Sequence, residues 1–178
     1  KFTDPVTLLK KTFLSKDTMS IFNKSKKNKN KNIFYFGLEP LKARYTYQLS
    51  KEWMPNAFKP YENSKVNFID IEGEFDPDQQ IKIGAVLDAV GRGKFAMSQC
   101  SNFLDMLNND EVKDGDVIFL QDYWHPGIES ILYAIDLYGI KLDIYAMLHA
   151  QSVDEYDFTY PMKSWMRGFE LGLDKRMS

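Results

Sequence analysis

The chain predicts an α/β domain with a mainly parallel sheet, and three stretches carry the prediction. Val117-Ile118-Phe119-Leu120 is a short, continuous apolar run, as expected of a strand buried on both faces. After a polar turn, Ile128, Ile131, Leu132, Ile135 and Tyr138 recur at helical spacing, Gly139 closes the helix, and Leu142 to Leu148 supplies a second buried strand. Ile33 to Phe36, ending at Gly37, and Val66 to Ile71 read as two further strands, again separated by a helix-length segment. This alternation defines a Rossmann-like three-layer domain with a mainly parallel sheet. In open sheets of this kind ligands sit outside the carboxyl ends of the strands, so the residues just after each strand are the candidates for chemistry.

The remaining elements follow in order. Residues 3–14, TDPVTLLKKTFL, form an amphipathic pattern with Asp4 as N-cap and Pro5 in the first helical position. From Ser20 to Asn32 the Asn, Lys and Ser run has no periodicity, and it is either a solvated linker or a basic arm touching phosphate. The chain therefore divides into 1–32, a helix and basic linker, and 33–178, the α/β domain. A helix is predicted from Leu41, with Tyr45, Leu49 and Trp53 at i, i+4 spacing, stopping before Pro55. Asp70 to Asp78 is an acidic turn. Residues 84–93 hold an ambiguous apolar patch, Ala85-Val86-Leu87, and the turn-like Gly91-Arg92-Gly93. Lys94 to Asn108 reads as a helix striped by Met97, Cys100, Leu104 and Leu107, and Met162 to Leu173 as a last one bearing Trp165, Met166 and Phe169.

Composition sets the outer bounds. A length of 178 residues suits one domain with a sizeable core rather than two of ordinary size. A formal net charge of −2 excludes a uniformly basic nucleic-acid binder, although the Lys24 to Lys31 run is locally basic. No stretch approaches a membrane span and no signal-peptide core is present. Cys100 is the single cysteine, so neither a disulfide framework nor a Cys-based metal site is available, and a cytoplasmic location is the expectation.

The candidate chemistry gathers after the strands. Gly37-Leu38-Glu39-Pro40 is neither GxGxxG nor a Walker loop, and it is either a tight turn or a substrate contact at Gly37. Arg92, with Lys94, places cations beside flexible backbone at a helix start, suited to an anion or merely solvated. Asp122, Tyr123, Trp124 and His125 put a carboxylate, two aromatics and an imidazole at one strand end. The aromatics complement pyranose rings, and Asp122 or His125 can orient or deprotonate a hydroxyl. The alternative is that Trp124 packs and Asp122 caps the next helix. His149 closes the fourth strand and is followed by Gln151, so both histidines of the chain stand at neighbouring strand ends. Two histidines with scattered acids form no metal constellation of fixed spacing.

With these residues in hand, the stretch DGDVIFLQDYWHPGIESILYAIDLYGIKLDIYAMLHAQSVDEYDF resembles the N-terminal, acceptor-side domain of a GT-B-type glycosyltransferase, similar to phage-encoded glycosyltransferase-like proteins. The resemblance covers Ile33 to Ser178 and rests on overall pattern rather than an invariant signature. It implies transfer of a sugar from a nucleotide sugar to an acceptor, a glycan or modified DNA, with no cofactor beyond the nucleotide-sugar donor. His149 matches the histidine that closes the fourth strand in retaining members and faces the donor sugar. The Asp that often follows is Ala150 here, which puts that role in doubt. The resemblance matches His149 and Gly37, and together with the residues read above it leads to the expectation of catalysis at His149, Asp122 and His125, with Gly37, Tyr123, Trp124, Arg92 and Gln151 around the substrate. A second Rossmann-like domain is expected to hold the nucleotide diphosphate. The rival from another class is a non-catalytic carbohydrate-binding, nucleotide-binding or interaction module of the same fold.

Overall fold

The computed structural model of the protein describes residues 30–42, 44–76 and 88–177. The helix expected over 3–14, most of the Lys24 to Lys31 run and the Ala85-Val86-Leu87 patch lie outside the described residues. Four strands, β1 (Lys31–Phe36), β2 (Val66–Asp70), β3 (Val117–Leu120) and β4 (Asp143–Ala146), form one sheet in the order β2-β1-β3-β4. Every pairing is parallel. The Rossmann-like α/β class expected from the sequence is therefore the observed one.

Strand order reverses between β1 and β3, because β2 lies on one side of β1 and β3 on the other. Parallel crossovers are right-handed, so this reversal moves the connecting helices from one face of the sheet to the other. The β1 to β2 connection holds α1 (Tyr45–Gln48), a π-helical stretch Leu49–Trp53, α2 (Met54–Phe58) and a 3-10 turn Lys59–Ser64. On the opposite face lie α3 (Ala89–Asn108), α4 (Ile128–Tyr138) and α5 (Lys163–Asp174).

The strands split their side chains between these layers with a period of two. Ile33, Tyr35, Val117 and Phe119 join Leu49 and Met54 in one core, where the Tyr35 ring lies 5.2 Å from Phe68 and 5.7 Å from Phe119. Phe34, Phe36, Ile118 and Leu120 join Phe103, Ile128, Ile131, Ile135 and Leu173 in the larger core. Each large side chain enclosed this way contributes about 1.5–3 kcal/mol.

Three local expectations change. α3 begins at Ala89 rather than Lys94, because the Asp88 side chain accepts from the Val90 amide and Arg92 is buried by tertiary contacts that outweigh the poor helix propensity of Gly91 and Gly93. Within α3, Met97 is exposed and the buried stripe runs through Phe95, Gln99, Cys100 and Phe103. The helix after β1 starts at Tyr45 and does not stop before Pro55. The π-helical stretch shifts the hydrogen-bond register, and Pro55 falls in the first turn of α2, where no N–H is required.

Candidate functional site

Two buried glutamines fasten the loops at the carboxyl ends of the strands. Gln121, the first residue past β3, is fully buried, and its Oε1 accepts from Ser50 Oγ at 2.7 Å, the Leu38 amide at 2.9 Å and the Tyr35 hydroxyl. Gly37 sits under this knot: a Cβ there would lie 3.1 Å from Ser50 Oγ and 3.3 Å from Gln121 Oε1. Burial raises the Tyr35 phenol strongly, against the Ser50 hydrogen bond, so it stays protonated and donates.

Gln99, on α3, donates from Nε2 to the carbonyls of Ile71 at 2.7 Å and Gly37 at 3.2 Å. Its Oε1 therefore faces His125 Nε2, 3.1 Å away, as an acceptor. This network assigns the His125 proton to Nε2 and leaves Nδ1 bare. His125 is 1% exposed. Burial, reinforced by the Arg92 charge, pushes its pKa from the usual 6.5 to about 3, so the ring is neutral at physiological pH.

Arg92 lies against two carboxylates. Its Nη1 is 3.6 Å from Glu39 Oε2, and its Nη2 is 3.9 Å from Asp122 Oδ2 and donates to the Trp124 carbonyl at 3.4 Å. Burial lowers the guanidinium, while Glu39 and Asp122 oppose that shift. Asp122 moves the other way: burial raises its carboxyl above the ordinary carboxylate range, against Arg92, the Trp124 amide and His149. Asp122 Oδ1 accepts from the Trp124 amide at 3.1 Å, closing a turn. It does not cap α4, whose N-cap is Gly127 at φ 90°.

Unmet hydrogen-bonding capacity concentrates here. Among the described residues, the buried side-chain atoms without a hydrogen-bond partner are Glu39 Oε2, Arg92 Nη1, Gln121 Nε2, Trp124 Nε1 and His125 Nδ1. All belong to the loops after β1 and β3 or to the start of α3.

The exposed part of the rim holds His149. Its Nε2 donates to the Gln121 carbonyl at 2.8 Å. Asp122 is the partly exposed member of the Arg92 group, and His149 is the smallest of the influences that oppose the rise of its carboxyl. Tyr123 and Trp124 turn toward α5 instead. The Tyr123 hydroxyl donates to the Glu170 carbonyl at 2.6 Å, and Trp124 stacks on Phe169 at 4.7 Å and meets Trp165 edge-on at 6.1 Å. Gln151 lies in the exposed loop beyond His149, its amide bonded to Asp157 Oδ2 at 3.2 Å. That loop is anchored by Ser152, whose amide and Oγ both donate to the buried Glu170 carboxylate.

The rim thus brings together Gly37, Arg92, Asp122, His125 and His149 of the residues expected from sequence. Glu39, Gln99 and Gln121 belong with them and were not anticipated. The signal available was position, since Glu39 and Gln121 each stand within three residues of a strand end. Gln99 gave none, because it lies inside a helix. Among the described residues no group of three or more His, Cys, Asp or Glu is placed to hold a metal ion, and no helix is long and apolar enough to cross a membrane. Compared with known proteins, the chain matches no family model, no curated protein and no solved structure.

Proposed function

We propose that the protein is the acceptor-side half of a glycosyltransferase, transferring a sugar from a nucleotide sugar at the rim formed by Asp122 and His149. The observation that carries this reading is the gathering of buried polar atoms without a hydrogen-bond partner in the loops after β1 and β3 and at the start of α3, where the strand order reverses. Each such atom costs about 1–3 kcal/mol, a cost that folding alone gives no reason to concentrate at one place. Open parallel sheets bind ligands at this position.

The chemistry divides by accessibility. His125 is enclosed and its Nε2–H is committed to Gln99, so Asp122 is the better base of the two. Its raised pKa strengthens it as a proton acceptor. Asp122 takes the proton of the acceptor hydroxyl as that oxygen bonds to the anomeric carbon, and the bond to the nucleoside diphosphate breaks with its electron pair leaving on the diphosphate. His149 hydrogen-bonds the sugar in flight. A second Rossmann-like domain supplies the diphosphate contacts, since the loop after β1 is neither a Walker nor a GxGxxG loop.

The test is transfer activity of the full-length protein carrying Asp122→Asn or His149→Ala, screened against nucleotide sugars. Loss of a general base is expected to lower turnover about 10²- to 10⁴-fold with thermal stability retained. Undiminished transfer by both variants overturns the assignment, and saccharide binding without any transfer by the unaltered protein leaves the non-catalytic module in its place.

A further inference from the structure

Beside the rim, on the β2 side of β1, the loops after β1 and β2 enclose a cleft of about 360 Å³. Gly37 and Leu38 form the wall it shares with the rim, and Phe95 of α3 adds to its lining. The volume is in the range of small-molecule sites. Gly73 keeps it compact: a Cβ there would lie 2.6 Å from the Phe95 carbonyl oxygen, so the β2 loop lies flush against α3 only because residue 73 is glycine.

The lining has a definite chemical character. Phe75 is 37% exposed and rests edge-on against Phe95 with ring centres 5.8 Å apart, so it is braced while part of its surface remains open. Tyr47 adds a second aromatic to the lining. Lys51 Nζ ties the polar side together, 2.7 Å from Asp70 Oδ2 and 3.8 Å from Glu72 Oε1. Among the described residues the ionised groups lining the cleft are Lys42, Lys51, Asp70 and Glu72, two of each sign, so their formal charges cancel. A phosphate or a DNA backbone entering it would meet two carboxylates, one of them beside the more central lysine. A neutral ring with several hydroxyls meets acceptors at Asp70 and Glu72, donors at Lys42 and Lys51, and an aromatic surface against its C–H face.

We propose that this cleft holds one neutral, hydroxyl-rich sugar ring of the acceptor, with Phe75 as its platform and Asp70 and Glu72 as its hydroxyl acceptors. The assignment of the ring as acceptor rests on the glycosyl-transfer reading above, and it makes a neutral glycan rather than DNA the substrate class. Gly37 and Leu38 stand between this ring and Asp122, so the ring anchors the acceptor and the reacting hydroxyl belongs to a neighbouring unit at the rim.

The experiment is a backbone-amide NMR titration of the 178-residue chain. The probes are glucose, galactose, N-acetylglucosamine and their β1,4-linked disaccharides, with inorganic phosphate and a short single-stranded DNA in parallel. Saturable shifts at Leu38, Ile71 and Gly73 are expected with a saccharide by about 10 mM, where even a millimolar site is nearly filled. Phe75→Ala is expected to weaken that binding about tenfold or more. Glu72→Gln, at a side chain 80% exposed and so harmless to folding, should weaken it less. No saccharide shift at the cleft, binding indifferent to both variants, or shifts there with phosphate or DNA instead would each overturn the proposal. Saccharide shifts confined to Asp122, His149 and Gln151 would overturn the cleft while leaving the transfer reading intact. Cleft binding with no transfer would do the reverse, keeping the sugar site and removing the acceptor role.

Discussion

The two ends of the sheet bury polar groups in opposite ways. At the amino end Asp116, 4% exposed, has both carboxylate oxygens satisfied: Oδ1 accepts from the Asn32 amide at 2.9 Å, and Oδ2 from the Lys113 amide at 2.9 Å and Asn32 Nδ2 at 3.2 Å. At the carboxyl end Glu39, Arg92, Gln121, Trp124 and His125 each keep a buried atom with no hydrogen-bond partner, and Glu39 and Arg92 meet only as an ion pair at 3.6 Å. Similar burial serves different ends. A fully satisfied carboxylate pins β1 to the turn before β3, whereas the unsatisfied group at the other end is costly to the fold and useful only if something else completes it.

The sharpest break in that comparison is Arg92→Met. It strips the Arg92 cation from between Glu39 and Asp122, and truncating a buried ion group costs about 3–5 kcal/mol. Urea unfolding should show the loss as a lower midpoint. An unchanged midpoint would mean that the carboxyl end is not held by this group.

The same chemical change, Asp→Asn, should then separate the two ends. At position 116 the amide turns one acceptor into a donor facing donors already in place, and about 1–3 kcal/mol should be lost. At position 122, where burial already disfavours the charge, the change should stay within about 1 kcal/mol in a thermal melt while removing transfer. Equal destabilisation at both positions would erase the distinction between the ends.

A third contrast lies in pH dependence. His125 binds its proton near pH 6.5 when unfolded and only near about 3 when folded, so the unfolded chain holds more protons between those values. Stability should therefore fall as pH drops through 6.5 toward 3, and above 6.5 this residue makes no difference. His125→Gln should flatten the slope across that window by up to one proton. A wild-type slope unchanged by the substitution would show that the ring is not kept neutral.

Much of this architecture was legible in the residues. Val117 to Leu120 was read at its observed limits, and Gly139, at φ 69°, ends α4 where the periodicity stops. The position of Asp122, two residues past β3, was equally plain, whereas the run read as a buried strand through Leu148 is a strand only over Asp143–Ala146 with Ile144 alone buried, because it pairs with β3 on one side only, and His149 stands three residues beyond its end. The start of α3 was not, because Gly91 and Gly93 argue locally against a helix that Arg92 stabilises through contacts with residues 39 and 122. Nor was the packing of Trp124 and Tyr123 against α5, since Phe169, Trp165 and Glu170 lie some forty residues away in sequence.

By itself, then, the order of apolar runs and helical periodicities determined the parallel α/β class and the ends of the strands where polar residues gather, because both depend on the next few residues along the chain. Only the tertiary structure decided which of those residues face one another. Gln99 reaches Gly37 across 62 positions and Gln121 reaches Tyr35 across 86. Hydrogen bonding and charge act over a few ångströms, and no local pattern encodes which distant groups the closing sheet will bring within that range.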